Sequence, residues 1–375
     1  MPATSRGLAD VVAASTALSD IDGRAGRLFY RGYDVDDLVG RISFEECVYL
    51  LHRGALPTAA QLDRLGADVA QAREIPPIAD RLLPELAATA QPMEALRTVV
   101  SALGHEDPDK DSNAPDADLR KALRLVAAVP VVVARYAGAR RGRDEAPPEP
   151  DPTLGIAGNF LLQITGQSPS PETAAAFDEC LVLNADHTIN ASSFAARVCA
   201  ATLSDMHSAV VAAIGTLKGP LHGGANEQVM HLLESVDKPE DADAAIRGRL
   251  SNGERIAGFG HRIYRGVDPR ATHLRRLSER LSDGTGDRSL FERSKAVEST
   301  VLEAEGLYPN VDFFAVTAYA ALGIPTDLFT TVLAVSRMAG WTAHIMEQHA
   351  DNRLIRPDSE YVGEHNRTWV PLAER

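Results

Sequence analysis

Three short stretches hold more reactive groups than a helical scaffold needs. In Gly219-Pro-Leu-His-Gly-Gly-Ala-Asn-Glu227 a single histidine, His222, sits among a proline and three glycines. Such a turn breaks one helix and opens another, and exposed N–H groups at the new helix start favour an anion or a developing oxyanion. The plainer reading is a helix–helix turn capped by Asn226. Gly258-Phe-Gly-His-Arg-Ile-Tyr-Arg-Gly-Val-Asp-Pro-Arg270 places His261 between glycines and the cations Arg262, Arg265 and Arg270. In an acidic chain that local charge suits a dicarboxylate or a phosphate-bearing cofactor, although charge clusters are usually solvated loops. Leu307-Tyr-Pro-Asn-Val-Asp-Phe-Phe314 puts Asp312 just inside a helix start. An aspartate there is commonly a cap. Its apolar neighbours also suit a desolvated carboxylate base.

Other candidates carry less. His344, Glu347 and His349 read H-x-x-E-x-H, which does not set two ligands on one helix face as H-E-x-x-H does, so no metal is expected. His52, His207, His231 and His273 lie in helical patterns and read as packing or surface residues. The glycines at 223–224 and at 258 and 260 lack the continuation of a dinucleotide or phosphate loop. Cys47, Cys180 and Cys199 sit in apolar surroundings without C-x-x-C spacing, as reduced thiols of a cytoplasmic protein do.

The elements that must position these groups are almost all helical. The 375 residues suggest roughly two domains, and 45% apolar with 24% charged residues is a globular composition. A formal charge of −14 argues against nucleic acid as the main partner. The longest apolar run, Leu125 to Ala134, contains Pro130 and falls short of the roughly 20 residues of a membrane span. Met1 to Asp10 has no apolar stretch, so no secretory signal is expected. Thr16 to Tyr30 reads as a hairpin around a Gly-rich turn. Ser43-Phe-Glu-Glu46 is a capping box opening Cys47 to His52, which stops before Gly54. Pro57 starts a segment with Leu62, Leu65, Val69 and Ala72 on one face. Pro92 to Leu103, Ala117 to Ala137 and Gln228 to Val236 continue the pattern, with an acidic loop from His105 to Asn113. Gly142 to Pro152 is an interdomain linker or an exposed loop. Ser192 to Leu217 reads as one long helix whose small residues suit a tight helix–helix or subunit interface. The chain is therefore read as all-α, with fifteen or more helices and a short N-terminal β-hairpin.

Taken together, these stretches resemble the citrate synthase family. The resemblance extends to Ala185-Asp-His-Thr-Ile-Asn-Ala-Ser192, Pro309-Asn-Val-Asp-Phe313, Val335-Ser-Arg-Met-Ala-Gly-Trp-Thr-Ala-His344 and Arg353-Leu-Ile-Arg-Pro-Asp-Ser-Glu-Tyr-Val-Gly363. Gly7-Leu-Ala-Asp-Val-Val12 and Tyr30-Arg-Gly-Tyr-Asp-Val-Asp-Asp-Leu38 fit as well, so it spans essentially the whole chain. It implies an enzyme condensing acetyl-CoA with oxaloacetate by enolisation, aldol-type addition and thioester hydrolysis, with no metal or redox cofactor. By similarity, Asp312 is the base, His222 bonds the thioester oxygen, and His261 polarises the ketone and protonates the forming alkoxide. His187, Arg270 and Arg337 hold the oxaloacetate carboxylates, and Arg265 contacts CoA phosphate. Arg356 matches an arginine lent by the neighbouring subunit of a homodimer. The implied fold is a large helical domain, 1–223 plus 328–375, with an inserted small domain, 224–327, that closes over the substrates. On that mapping Gly142 to Pro152 becomes a surface loop of the large domain.

Departures are few. Asn184 stands where many relatives have His or Tyr, and Thr188 where several have an acidic residue or Gly. The long N-terminal extension of the hexameric branch is absent from the sequence, which favours a dimer. Methylcitrate synthases, which use propionyl-CoA, share much of this pattern, and a single methylene discriminates by only about 1–3 kcal/mol. Arg262 after His261 leans toward citrate synthase, with dual activity as an alternative. A non-catalytic oxaloacetate or CoA sensor is the remaining reading, and it would be favoured by loss of His222, His261 or Asp312. All three are present.

Overall fold

The structure is a computed structural model describing residues 6–8, 11–142 and 147–375. Ala9 and Asp10 of the N-terminal motif, most of the segment read for a secretory signal, and 143–146 of the Pro-rich stretch lie outside the described residues. The expected hairpin is present as β1 (Ser19–Asp22) and β2 (Arg27–Tyr30), paired antiparallel from Ser19 opposite Tyr30 to Asp22 opposite Arg27. A short third strand, β3 (Tyr33–Asp34), extends it. Asp22 Oδ1 accepts from the N–H groups of Arg24 and Ala25 and so closes the turn.

Sixteen α-helices follow among the described residues. The first ten are α1 (Val35–Leu38), α2 (Phe44–Arg53), α3 (Ala59–Ala72), α4 (Pro77–Thr89), α5 (Pro92–Glu106), α6 (Pro115–Arg140), α7 (Ile156–Thr165), α8 (Pro171–Asn184), α9 (Ala191–Ala200) and α10 (Met206–Leu217). Then come α11 (Ala225–Glu234), α12 (Ala242–Ser251), α13 (Pro269–Thr285), α14 (Ser289–Glu305), α15 (Val311–Ala321) and α16 (Phe329–Ala350). Helices α11 to α15 pack on one another and meet the rest through α8 and α16. Ser43 and Glu46 make both bonds of the capping box on α2. Thr58 and Gln61 do the same for α3, so the helix begins at Ala59 with Pro57 outside it.

Two readings of the sequence need correction. The pattern from Ser192 to Leu217 is not one helix. It breaks where Leu203 takes a φ of 62° and Asp205 caps α10 by accepting from the Ser208 N–H. A short carboxylate satisfies helix-start N–H groups and competes with continuing the helix. The small residues still bring α9 against α10, and α10 so close to α5 that a Cβ on Gly104 would lie 2.8 Å from His207 Cβ.

The second correction concerns α6. It runs through Pro130, as the pattern from Ala117 to Ala137 predicts, but its 26 residues are long and apolar enough to cross a membrane by length and composition. Most of the helix is instead buried against α3, α4, α5, α7 and α16, as a core helix is. Its partner α16 is buried at every position from Phe329 to Ile345. Midway along α16 the Gly340 N–H donates to Ala185 O at 3.1 Å. A Cβ at Gly340 would come within 2.5 Å of both Ala185 O and Asp186 Oδ1. Gly340→Ala is therefore expected to destabilise by about 1–3 kcal/mol, seen as a lower Tm. Gly215→Ala on α10, with its nearest neighbour at 4.0 Å, should leave Tm unchanged or raise it.

Candidate active site

The two loops that precede α13 and α15 are bonded to each other. Phe259 and Pro309 form an isolated antiparallel bridge. On either side of it Gly260 N donates to Tyr308 O and Asn310 N to Gly258 O, both at 2.9 Å. Gly258 has a φ of 85°, and a Cβ there would sit 2.9 Å from Phe313 and Val229, so this place in the Gly-Phe-Gly-His stretch requires glycine. Asn310, not Asp312, caps α15, accepting from the Asp312 N–H at 3.0 Å. The Asp312 carboxylate is therefore not consumed as a cap. The hairpin steadies the same region, because Arg265 N donates to Gly23 O at 3.0 Å.

His261 Nδ1 accepts from two backbone N–H groups, Ile263 at 3.0 Å and Tyr264 at 3.1 Å. The neutral ring must then carry its proton on Nε2, which makes that atom a donor. The His261 ring lies 5.4 Å from that of His187, edge-on, and 4.7 Å from that of Tyr264. His187 Nε2 is 3.3 Å from the Tyr264 hydroxyl. His222 Nε2 is 2.9 Å from Ser192 Oγ, which also accepts from Trp341 Nε1 at 3.1 Å. Asn190, the cap of α9, lies 2.8 Å from the same hydroxyl.

Two arginines define the charge of the cleft. Arg270 is buried and forked onto Asp268, Nε to Oδ1 at 3.0 Å and Nη2 to Oδ2 at 2.8 Å. Arg337 on α16 is only 5% exposed, yet its Nε and Nη1 have no hydrogen-bond partner among the described residues. Buried donors are almost always satisfied, so this guanidinium is built for an anion. Burial and then the Arg270 charge lower its pKa. Burial and the two arginines also hold His187 well below the usual histidine range. Burial, reinforced by Arg337, lowers His222 to about 4. His261 is likewise at about 4, through burial and Arg270. Burial pushes Asp312 up to about 6, with the arginines opposing the rise. At neutral pH the cleft therefore presents three neutral imidazoles, two cations and, besides the Asp268 carboxylate paired with Arg270, the ionised Asp312.

This arrangement has counterparts among known proteins. The family model described as "Citrate synthase, C-terminal domain" matches residues 7–358. The chain belongs to the citrate synthase family. It is 47% identical over 371 residues to citrate synthase 2 of Bacillus subtilis, with 99% of each chain covered. It is 41% identical over 372 residues to 2-methylcitrate synthase of Shewanella oneidensis, covering 99% of this chain and 98% of that one. The structure matches that of Thermoplasma acidophilum citrate synthase in ternary complex with carboxymethyl coenzyme A and oxaloacetate. There the TM-score is 0.93, with 32% identity and full coverage of both chains.

For this citrate synthase family member the fold brings together His187, His222, His261, Arg270, Asp312 and Arg337. Arg265 is exposed on the His261 loop. Arg356 does not join the cluster of its own chain: its side chain is 75% exposed and paired with Asp358. The expected free N–H groups at the His222 turn are a correction, since those of His222, Gly223 and Gly224 bond to Gly219 O and Leu217 O inside the turn. Asn226 is not the cap either, because α11 opens at Gly224 without a side-chain cap. The sequence reading missed Ser192, Tyr264, Asp268 and Asn310. Asp268 before Pro269 is a legible helix-start signature, and so is Asn310 two residues before Asp312. Nothing local marks Ser192 or Tyr264. Arg337→Met should leave the Tm of the free protein unchanged or higher, because a buried unpaired cation is removed. The same variant should lose the stabilisation, about 2.7 kcal/mol at a hundredfold excess over Kd, that a bound dicarboxylate gives the parent.

Proposed function

We propose that the chain condenses acetyl-CoA and oxaloacetate with water to give citrate and CoA. The observation that carries this is the buried Arg337 guanidinium, its donors unpartnered, beside three neutral histidines and one raised carboxylate. Arg337, Arg270 and His187 hold the oxaloacetate carboxylates. Asp312 takes a proton from the acyl α-carbon, a task suited to a carboxylate out of bulk water. His222, too weak a base to be charged, gives a hydrogen bond to the thioester oxygen; this requires its proton on Nδ1 and the Ser192 hydroxyl, which donates to Asn190 Oδ1 in the structure, turned to Nε2. His261 Nε2–H points its proton at the ketone oxygen and supplies it as the alkoxide forms. Water then hydrolyses the thioester. The scheme calls on no metal or redox cofactor.

The segment 224–327 supplies His261, Arg270 and Asp312, and the rest of the chain supplies His187, His222 and Arg337. Treating 224–327 as a small domain that closes on 1–223 plus 328–375 lets substrate binding complete the site and exclude water. Arg265 on the same loop then meets CoA phosphate. A homodimer with Arg356 reaching the neighbouring site is supported by the exposed chain after α16, where Leu354, Tyr361, Val362 and Trp369 are all at least 60% exposed. Free thiols, none paired, suit a cytoplasmic setting. Propionyl-CoA is the second reading, favoured by the likeness to a 2-methylcitrate synthase.

Oxaloacetate-dependent thiol release from acetyl-CoA and from propionyl-CoA tests both readings, and the ratio of kcat/KM values names the acyl group. No release with either, from a folded protein that binds oxaloacetate, would indicate a sensor. With Asp312 at about 6, kcat/KM should fall about tenfold per pH unit below that value. A profile flat from pH 5 to 8 would remove Asp312 as the base. Asp312→Asn should lose turnover by at least about a hundredfold. It should also be more stable than the parent at pH 7–8, because the folded pKa lies above the ordinary 3.8 and ionisation opposes folding. Arg356→Ala and His261→Ala chains, each inactive alone, should regain activity when subunits are exchanged. No recovery after demonstrated exchange would place Arg356 outside the site.

A further inference from the structure

The backbone beside His187 is held in a conformation it would not choose. Thr188 takes a φ of 53°, in the left-handed region where a β-branched residue is strained. Against this turn lies Ser19, the first residue of β1, far away in sequence and almost buried. Its Oγ accepts from the Thr188 N–H at 3.0 Å and donates to Asp186 Oδ2. One hydroxyl thus grips both neighbours of His187.

Asp186 is itself immobilised. It is fully buried, and its carbonyl accepts from the Tyr30 hydroxyl at 3.0 Å. Its Oδ1 lies 3.2 Å from His344 Nε2, a close contact outside hydrogen-bond geometry, and neither atom has a hydrogen-bond partner among the described residues. Arg197 Nη1 lies 3.0 Å from His344 Nδ1, and a guanidinium has no acceptor, so Nδ1 accepts from it. Arg197 is anchored in turn on Glu347 at 2.7 Å and on Gln348 at 3.2 Å. A buried chain of side chains therefore runs from α16 and α9 to the sheet and ends on the two residues flanking His187. A network satisfied at its ends in this way fixes geometry rather than adding affinity of its own.

We propose that Ser19, clamped by Asp186, is a positioning residue for His187, holding the strained 186–188 turn so that the imidazole faces its substrate carboxylate before the substrate arrives. The proposal rests on the oxaloacetate reading above. Without the hydroxyl, Thr188 N–H and Asp186 Oδ2 both lose their partner, Thr188 relaxes out of the left-handed region, and the peptide carrying His187 rotates.

Steady-state kinetics on Ser19→Ala, Thr188→Gly and the double variant test it. Ser19→Ala should raise the KM for oxaloacetate about tenfold, with kcat within about threefold and the acyl-CoA KM unchanged. Glycine adopts the left-handed region freely, so Thr188→Gly added to Ser19→Ala should return KM to within about threefold of the parent. A parental KM in folded Ser19→Ala overturns the proposal, and so does a raised KM that Thr188→Gly fails to rescue. Should Ser19→Ala not fold, the double variant decides: near-parental KM supports the clamp, and a tenfold rise overturns it. A parent without oxaloacetate-dependent thiol release overturns the substrate reading instead, so the two failures are distinguishable.

Discussion

Two guanidinium groups buried in one cleft, with a single carboxylate fork between them, set the terms for everything around them. Arg270 is paired with Asp268; Arg337 has no ion-pair partner among the described residues, and its Nε and Nη1 lack a hydrogen bond. Burial first, and then the charge of these arginines, make His187, His222 and His261 poorer bases, while the arginines oppose the rise that burial imposes on Asp312. Neutral imidazoles donate hydrogen bonds to developing negative charge without the large desolvation penalty of burying further cations. On the proposed function, an incoming dicarboxylate supplies the missing counter-charge and partners the unsatisfied donors, so that binding adds to stability.

Such a cleft needs rigid walls. Helix α16 runs buried through the molecule and carries Arg337, Trp341 and His344 on successive turns. Its contact with the 185–190 turn is close enough to exclude any side chain at Gly340. That turn is a hub: His187 projects from it, Asn190 caps α9 from it, and Ser192 one step on reaches His222. On the other wall, the loops at 258–260 and 308–310, which carry the His261 and Asp312 segments, are joined by backbone bonds and by the Asn310 side chain, whose Nδ2 donates to Gly260 O at 3.2 Å. Backbone bonds also choose the His261 tautomer, so the proton needed at Nε2 is placed by the fold and not by a neighbouring side chain.

Much of this was legible in order of residues. The helix start at Ser43, the hairpin at 19–30 and the helical class follow from local rules, because capping and strand alternation act over a few residues. His222, His261 and Asp312 stood out for the same reason: glycine, proline and charge crowd around them in ways a plain helix would not tolerate. Where local signals competed, the reading slipped. Small apolar residues from Ser192 to Leu217 hid the break that Asp205 imposes, and an apolar run counted only from Leu125 to Ala134 understated how long and apolar α6 is.

The sequence by itself determined the helical class, the reactive residue types and the family resemblance. Tertiary structure alone decided which groups are charged and which way they point. A histidine at about 4 and an aspartate at about 6 depend on burial and on charges brought from distant segments, and neither quantity exists along the chain. Ser19 reaches across 169 positions to Thr188, and Tyr264 meets His187 across 77. No local pattern encodes such meetings, because they are fixed only when the hairpin, α16 and the paired loops close around the same space.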